Sequence, residues 1–182
     1  MKYYRVMDGL ISNAGGFEYK LDEINVATNW NPKADNPKDM GGFSFGTEEC
    51  ELRWLLRGDT IYDVEVPNDA EVIECPNKNC PRGVFRTNKI IVRNPRLLTE
   101  DIVMDLYKKS KLPDNTYFQC LTFLSLKGFL SVCLCIVNDK VNKENIHQAL
   151  ETFYNFIKVE EKDKNNDYKS VEEQLLKIKN QV

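Results

Sequence analysis

The sequence predicts an α+β protein, and three observations carry that prediction. Apolar residues alternate with polar ones in residues 3–7, 17–21 and 60–66, the period of a half-buried strand. Helical spacing appears once within the first hundred residues, where Leu52, Leu55 and Leu56 recur on one face. After Asn94-Pro95 the pattern turns wholly helical. A curved, mainly antiparallel sheet with packed helices is therefore expected over residues 1–110, followed by a small all-helical domain over residues 111–182.

In chain order, Tyr3-Tyr4-Arg5-Val6-Met7 is a β-type run stopped by Asp8-Gly9. Turn residues at 12–16 lead to the alternating stretch 17–21, read as a second strand. Asn31-Pro32, Asn36-Pro37 and Asp39 break any regular element across 29–40. A loop of that length inside a compact domain is commonly functional or partner-facing. Thr47 is expected to N-cap a short helix, with Glu48 and Glu49 at its positive end and Gly58 as its stop. In the strand 60–66, Tyr62, Val64 and Val66 are expected to face the core and Asp63 and Glu65 solvent. Pro67-Asn68-Asp69 turns into a strand at 70–74, 75–83 forms a loop, and 85–92 is a strand. Thr99-Glu100-Asp101 caps a helix running to about residue 111. Further helices are expected over 117–126, 129–137 and 143–159, then, beyond a solvated mobile run at 160–167, one that buries Val171, Leu175 and Ile178.

Composition restricts function. The 182 residues carry a net charge of −3, with 42% hydrophobic and 29% charged residues. This slightly acidic balance offers no basic footprint for a nucleic-acid backbone and argues against a nucleic-acid partner. Charge at Lys2 and Arg5, and the lack of an apolar run of roughly 18 residues, argue against a leader or a membrane span and favour the cytoplasm. In that compartment the six cysteines are read as free thiols. Cys120, Cys133 and Cys135 sit among apolar neighbours as small hydrophobes.

Few residues suggest chemistry. Cys75-Pro76 and Cys80-Pro81 are read first as loop cysteines, with a redox pair or half of a zinc site as alternatives; a full site needs Cys50 or a second chain. His147, the only histidine, is placed on a helix surface, which removes mechanisms built on a histidine base. Gly15-Gly16 and Gly41-Gly42 read as turn glycines, although glycine pairs also let a backbone approach phosphate. Trp54 is expected in the core. Asp63 and Glu65 share one strand face, where solvation is the simpler account than an acid and base pair.

The order Gly16-Phe17-x-Tyr19, Asn31-Pro32, Gly41-Gly42-x-x-Phe45, Trp54-Leu55, Pro67-x-Asp69-Ala70-x-Val72 and Phe85-x-x-x-Lys89-Ile90-Ile91 resembles the N-terminal domain of the ankyrin-repeat proteins of mimivirus-type giant viruses, a domain with phage and bacterial counterparts. The resemblance covers about residues 1–110. It implies a fold and a viral, phage or mobile-element setting rather than a reaction. The chain departs from those proteins in having no repeat array, since residues 121–150 resemble at most one ankyrin-like hairpin. The loop 75–83 is a second departure.

A fainter similarity is to ADP-ribosyltransferases, in the order Arg5, then Gly42-Phe43-Ser44-Phe45 with Thr47, then Val64-Glu65-Val66-Pro67. It implies that Arg5, Ser44 and Thr47 would hold NAD. The catalytic position reads Thr87-Asn88-Lys89 and carries no acid, so an acid would have to come from elsewhere, such as Glu65 or Glu74. Two expectations follow. The first is a non-enzymatic module binding another protein through loop 29–40 or the helical region, with no cofactor and no metal. The second is an NAD-binding relative of the transferases, active or degenerate.

Overall fold

The computed structural model describes residues 2–12, 15–36, 38–156 and 166–181. The chain divides into two compact units, residues 1–98 with 109–111, and residues 99–108 with 112–182.

The first unit is built on one open sheet of seven strands: β1 (Tyr3–Met7), β2 (Asn25–Val26), β3 (Phe43–Thr47), β4 (Thr60–Glu65), β5 (Val72–Glu74), β6 (Val84–Thr87) and β7 (Lys89–Leu97). Their order is β2-β7-β4-β1-β3-β6-β5, and every pairing is antiparallel. A 3-10 helix, Glu51–Arg57, joins β3 to β4. Met7, Phe43, Phe45, Tyr62, Val64, Ile90 and Val92 form the core beneath the sheet with Tyr19. Phe17 and Phe43 meet edge-on with ring centres 4.9 Å apart, and Phe45 stacks on Phe85 at 5.4 Å.

The structure corrects several local expectations. Residues 17–21 form no strand; they bridge singly, Ile11 to Glu18 and Leu21 to Val92, because the segment crosses two neighbours instead of running along one. The expected strand 85–92 is two strands parted at Asn88, whose Oδ1 accepts from the Glu71 amide at 2.9 Å. Thr47 does not cap the helix. It still belongs to β3, opposite Tyr3, and Cys50 occupies the N-cap without a side-chain cap bond. Leu52 and Leu55 are buried but Leu56 is 45% exposed. At three residues per turn, positions 52 and 55 eclipse and position 56 rotates away. In β4, Ile61 is buried as well as Tyr62 and Val64, so the alternation there is incomplete. Asp63 and Glu65 lie on the solvated face, paired with Arg96 and Arg93.

The described elements of the second unit are helices: α1 (Glu100–Lys109), α2 (Asp114–Leu126), α3 (Leu130–Lys140), α4 (Ile146–Asn155) and α5 (Asn166–Lys179). Thr99 Oγ1 accepts from the Ile102 amide at 3.4 Å at the start of α1, as its sequence predicts. Helix α2 packs against α3, α4 and α5. Phe118, Leu121, Leu124, Ile136 and Phe153 are fully buried, and Phe153 stacks on Tyr168 with ring centres 4.4 Å apart. Val171 and Leu175 are buried as expected of an amphipathic helix. The expected helix end at 156–159 and mobile run at 160–167 lie largely outside the described residues. No described helix is long and apolar enough to cross a membrane.

Candidate functional site

The centre of the sheet carries a cationic cluster. Arg5 lies on β1, Ser44 on the adjacent β3, and Arg86 on β6, where the register sets it directly opposite Ser44. The 3-10 helix that follows β3 adds Glu51, Trp54 and Arg57. These residues line one cavity of about 260 Å³. A second cavity of about 490 Å³ shares Arg5, Ser44, Arg57 and Arg86 with it.

Arg5 is 9% exposed. Its Nη1 donates to the Ser44 carbonyl and, at 3.1 Å, to Ser44 Oγ; its Nη2 donates to Ser12 Oγ at 3.3 Å. The guanidinium lies 5.0 Å from the centre of the Tyr19 ring. Arg57 Nη1 donates to the same Ser44 Oγ at 3.2 Å, and Arg86 Nη1 to the Gly41 carbonyl at 2.5 Å. Ser44 therefore sits between two guanidinium groups. Burial pulls the Arg5 and Arg57 pKa values down from the ordinary value, yet a guanidinium keeps its proton in proteins. The site is a concentrated positive charge in a low-dielectric wall.

One carboxyl group enters it. Glu51 is 2% exposed, and its Oε2 accepts no hydrogen bond from a described residue. Burial, then the Cys50 thiol, pushes its pKa well above the ordinary carboxyl value, against the opposing pull of Arg57 and Arg5. The site has room for this group only because residue 46 is glycine. A Cβ there would stand 2.5 Å from Glu51 Oε2 and 2.8 Å from Cys50 Sγ.

Loop 29–40 closes the larger cavity on one side. Trp30 Nε1 donates to Glu71 at 2.7 Å, and Asn29 Oδ1 accepts from the Gly42 amide at 3.2 Å. The Trp30 ring leans on Gly42, which has φ +66°, and a Cβ there would come within 2.5 Å of it. Gly15, Gly41 and Gly42 all line this polar cavity, as does Lys38.

Of the residues expected to hold a nucleotide, the structure brings Arg5 and Ser44 together and leaves Thr47 out. Thr47 is buried, with its hydroxyl turned to Cys50 Sγ at 3.9 Å. The acids sought at Glu65 and Glu74 also lie elsewhere. Glu65 pairs with Arg93, and Glu74 accepts from the Gly83 amide at 3.0 Å. Trp54, expected in the core, is half-buried and lines the smaller cavity, with the Arg57 guanidinium 4.1 Å from its ring centre. Glu51, Arg57 and Arg86 went unnoticed in the sequence. Nothing local separates Glu51 from Glu48 and Glu49, because its role comes from the Gly46 gap and from the strand register.

The cysteine loop folds inward. Cys75, Cys80 and Cys50 are buried free thiols. Cys50 Sγ donates to the Gly83 carbonyl at 3.0 Å, and the neighbouring Cys80 thiol and burial push its pKa far up. Among the described residues no group of three or more His, Cys, Asp and Glu is placed to hold a metal. His147 is exposed on α4. No protein-family model, curated protein or solved structure matches the chain.

Proposed function

We propose that the first unit binds a phosphate-bearing nucleotide of the NAD class in the Arg5–Ser44 cleft. The observation that carries this reading is the convergence of Arg5, Arg57 and Arg86 around one serine, beside a buried carboxyl group. Guanidinium forks match phosphate oxygens, and enclosure by protein strengthens the attraction. The glycine backbone at residues 41–42 adds close access for an anion. The same cleft supports the likeness to an ADP-ribosyltransferase-like fold. The reading is of binding rather than turnover, because Thr87-Asn88-Lys89 offers no acid; an active transferase or NAD hydrolase would draw on Glu51.

A second reading keeps the non-enzymatic interaction module of viral, phage or mobile-element type. Residues 31–33, 35, 36, 38 and 39 are exposed, while Trp30 is pinned by Glu71 and Met40 is buried. A polar loop anchored at both ends is suited to presenting itself to another protein. In this reading the helical unit is a separate domain and a further docking surface.

Isothermal titration with NAD decides between them. Saturable binding that is lost in Arg86→Gln and in Arg5→Ala supports the cleft. Arg86 is half-exposed, so its variant tests binding with the fold intact. Release of nicotinamide during incubation would add catalysis. No binding at millimolar NAD would leave the interaction module, to be pursued by co-purification.

A further inference from the structure

The two cavities differ in chemistry although they share a wall. The larger is lined by Ser12, Asn29, Gly41, Gly42 and Lys38 beside the shared arginines. The smaller is walled by Phe45, Trp54, Pro76 and Val84, with Glu51 among them. A carboxyl group in apolar surroundings is costly unless a donor meets it. Arg5 directs its donors to Ser44, Ser12 and Met7, and no described residue donates to Glu51 Oε2. The missing donor is therefore a feature of the cavity, and a ligand can supply it.

Resting on the nucleotide reading above, we propose that the smaller cavity holds a flat nitrogen heterocycle bearing an NH2 group that donates to Glu51. The phosphates of the same ligand then lie in the adjoining cavity, on Arg86 and Lys38. The NH2 group is either the carboxamide of nicotinamide or the 6-amino group of adenine. Both present a donor on the rim of a planar ring, which suits a slot between Trp54 and Val84. Glu51 acts here as a specificity determinant: a base without the donor leaves a buried oxygen unpaired.

The test uses the full chain and titration calorimetry with four ligands and inorganic pyrophosphate. NAD is compared with its 3-acetylpyridine analogue, which replaces the carboxamide NH2 by CH3. Adenosine diphosphate is compared with purine riboside diphosphate, which lacks the 6-amino group. One of the two altered ligands is expected to bind roughly tenfold more weakly than its parent, and which one identifies the base in the cavity. Glu51→Gln keeps an accepting oxygen and should retain the discrimination, whereas Glu51→Leu should abolish it. Pyrophosphate binding unchanged in both variants shows that the phosphate cavity is intact. Equal binding of parents and analogues overturns the Glu51 role and leaves the nucleotide reading standing. If neither nucleotides nor pyrophosphate bind, the nucleotide reading fails. Free nicotinamide against free 3-acetylpyridine, followed by tryptophan fluorescence, then decides the cavity alone, and equal affinity overturns it.

Discussion

Glu51 is the residue whose environment makes the sharpest demand. Burial is the largest cause of its raised pKa, so the folded state holds a proton that the unfolded chain releases near the ordinary value of 4.5. The sign follows by linkage. A group whose folded pKa lies above its unfolded value contributes stability that is fully present below 4.5 and is lost as pH rises toward the folded pKa. Glu51→Gln mimics the neutral form and should remove this decline. Urea midpoints of the two proteins should agree in acid and diverge as pH rises above 4.5, with the variant the more stable. Midpoints that stay parallel across that range would mean that Glu51 ionises in place. Arg5 makes the opposite kind of demand. Its removal strands Ser44 and Ser12 beside an unbalanced Glu51, and Arg5→Ala should cost about 3 kcal/mol in denaturant unfolding.

At the scale of elements, the turn from β3 into the 3-10 helix is the structural hinge of the site. Gly46 pairs with Val84 and Tyr4 in the sheet while leaving space for Glu51 and Cys50. Gly46→Ala should destabilise by about 1–3 kcal/mol through overpacking, read as a lower urea midpoint with unchanged slope. A neutral result would mean that the Glu51 carboxyl moves aside at no cost. This element also shows what a sequence conveys. Strands β1 and β4 were legible because one face is buried along each run, and α1 because Thr99 and two acids mark its start. The 3-10 helix was misjudged as to its cap and Leu56, since spacing of three and spacing of four diverge only at the second turn. The segment 17–21 alternates like a strand but finds no single partner. The site was half legible. Arg5 and Ser44 stand in an order that a family resemblance could flag, but Arg57, Arg86 and Glu51 join them through pairing across dozens of residues, which no local pattern encodes.

For the whole molecule, charge distribution matters more than charge. The chain carries a net −3, and many surface cations are matched: Arg93 by Asp22 and Glu65, Arg96 by Asp63, Lys89 by Asp69, Lys111 by Glu49. Such exposed pairs contribute little to stability. Their consequence is to neutralise the surface, so the positive field is concentrated where Arg5, Arg57, Arg86 and Lys38 share a cavity wall. An anion is then drawn to the cleft of an acidic protein. Added salt screens the approach and the half-exposed Arg86 and Lys38 more than the buried Arg5. NAD affinity should therefore fall several-fold between low and physiological ionic strength and then level off, as the screened contacts give way to the buried one. Binding of uncharged nicotinamide should stay flat over the same range. A salt response equal for the two ligands would place the phosphates outside the arginine cluster.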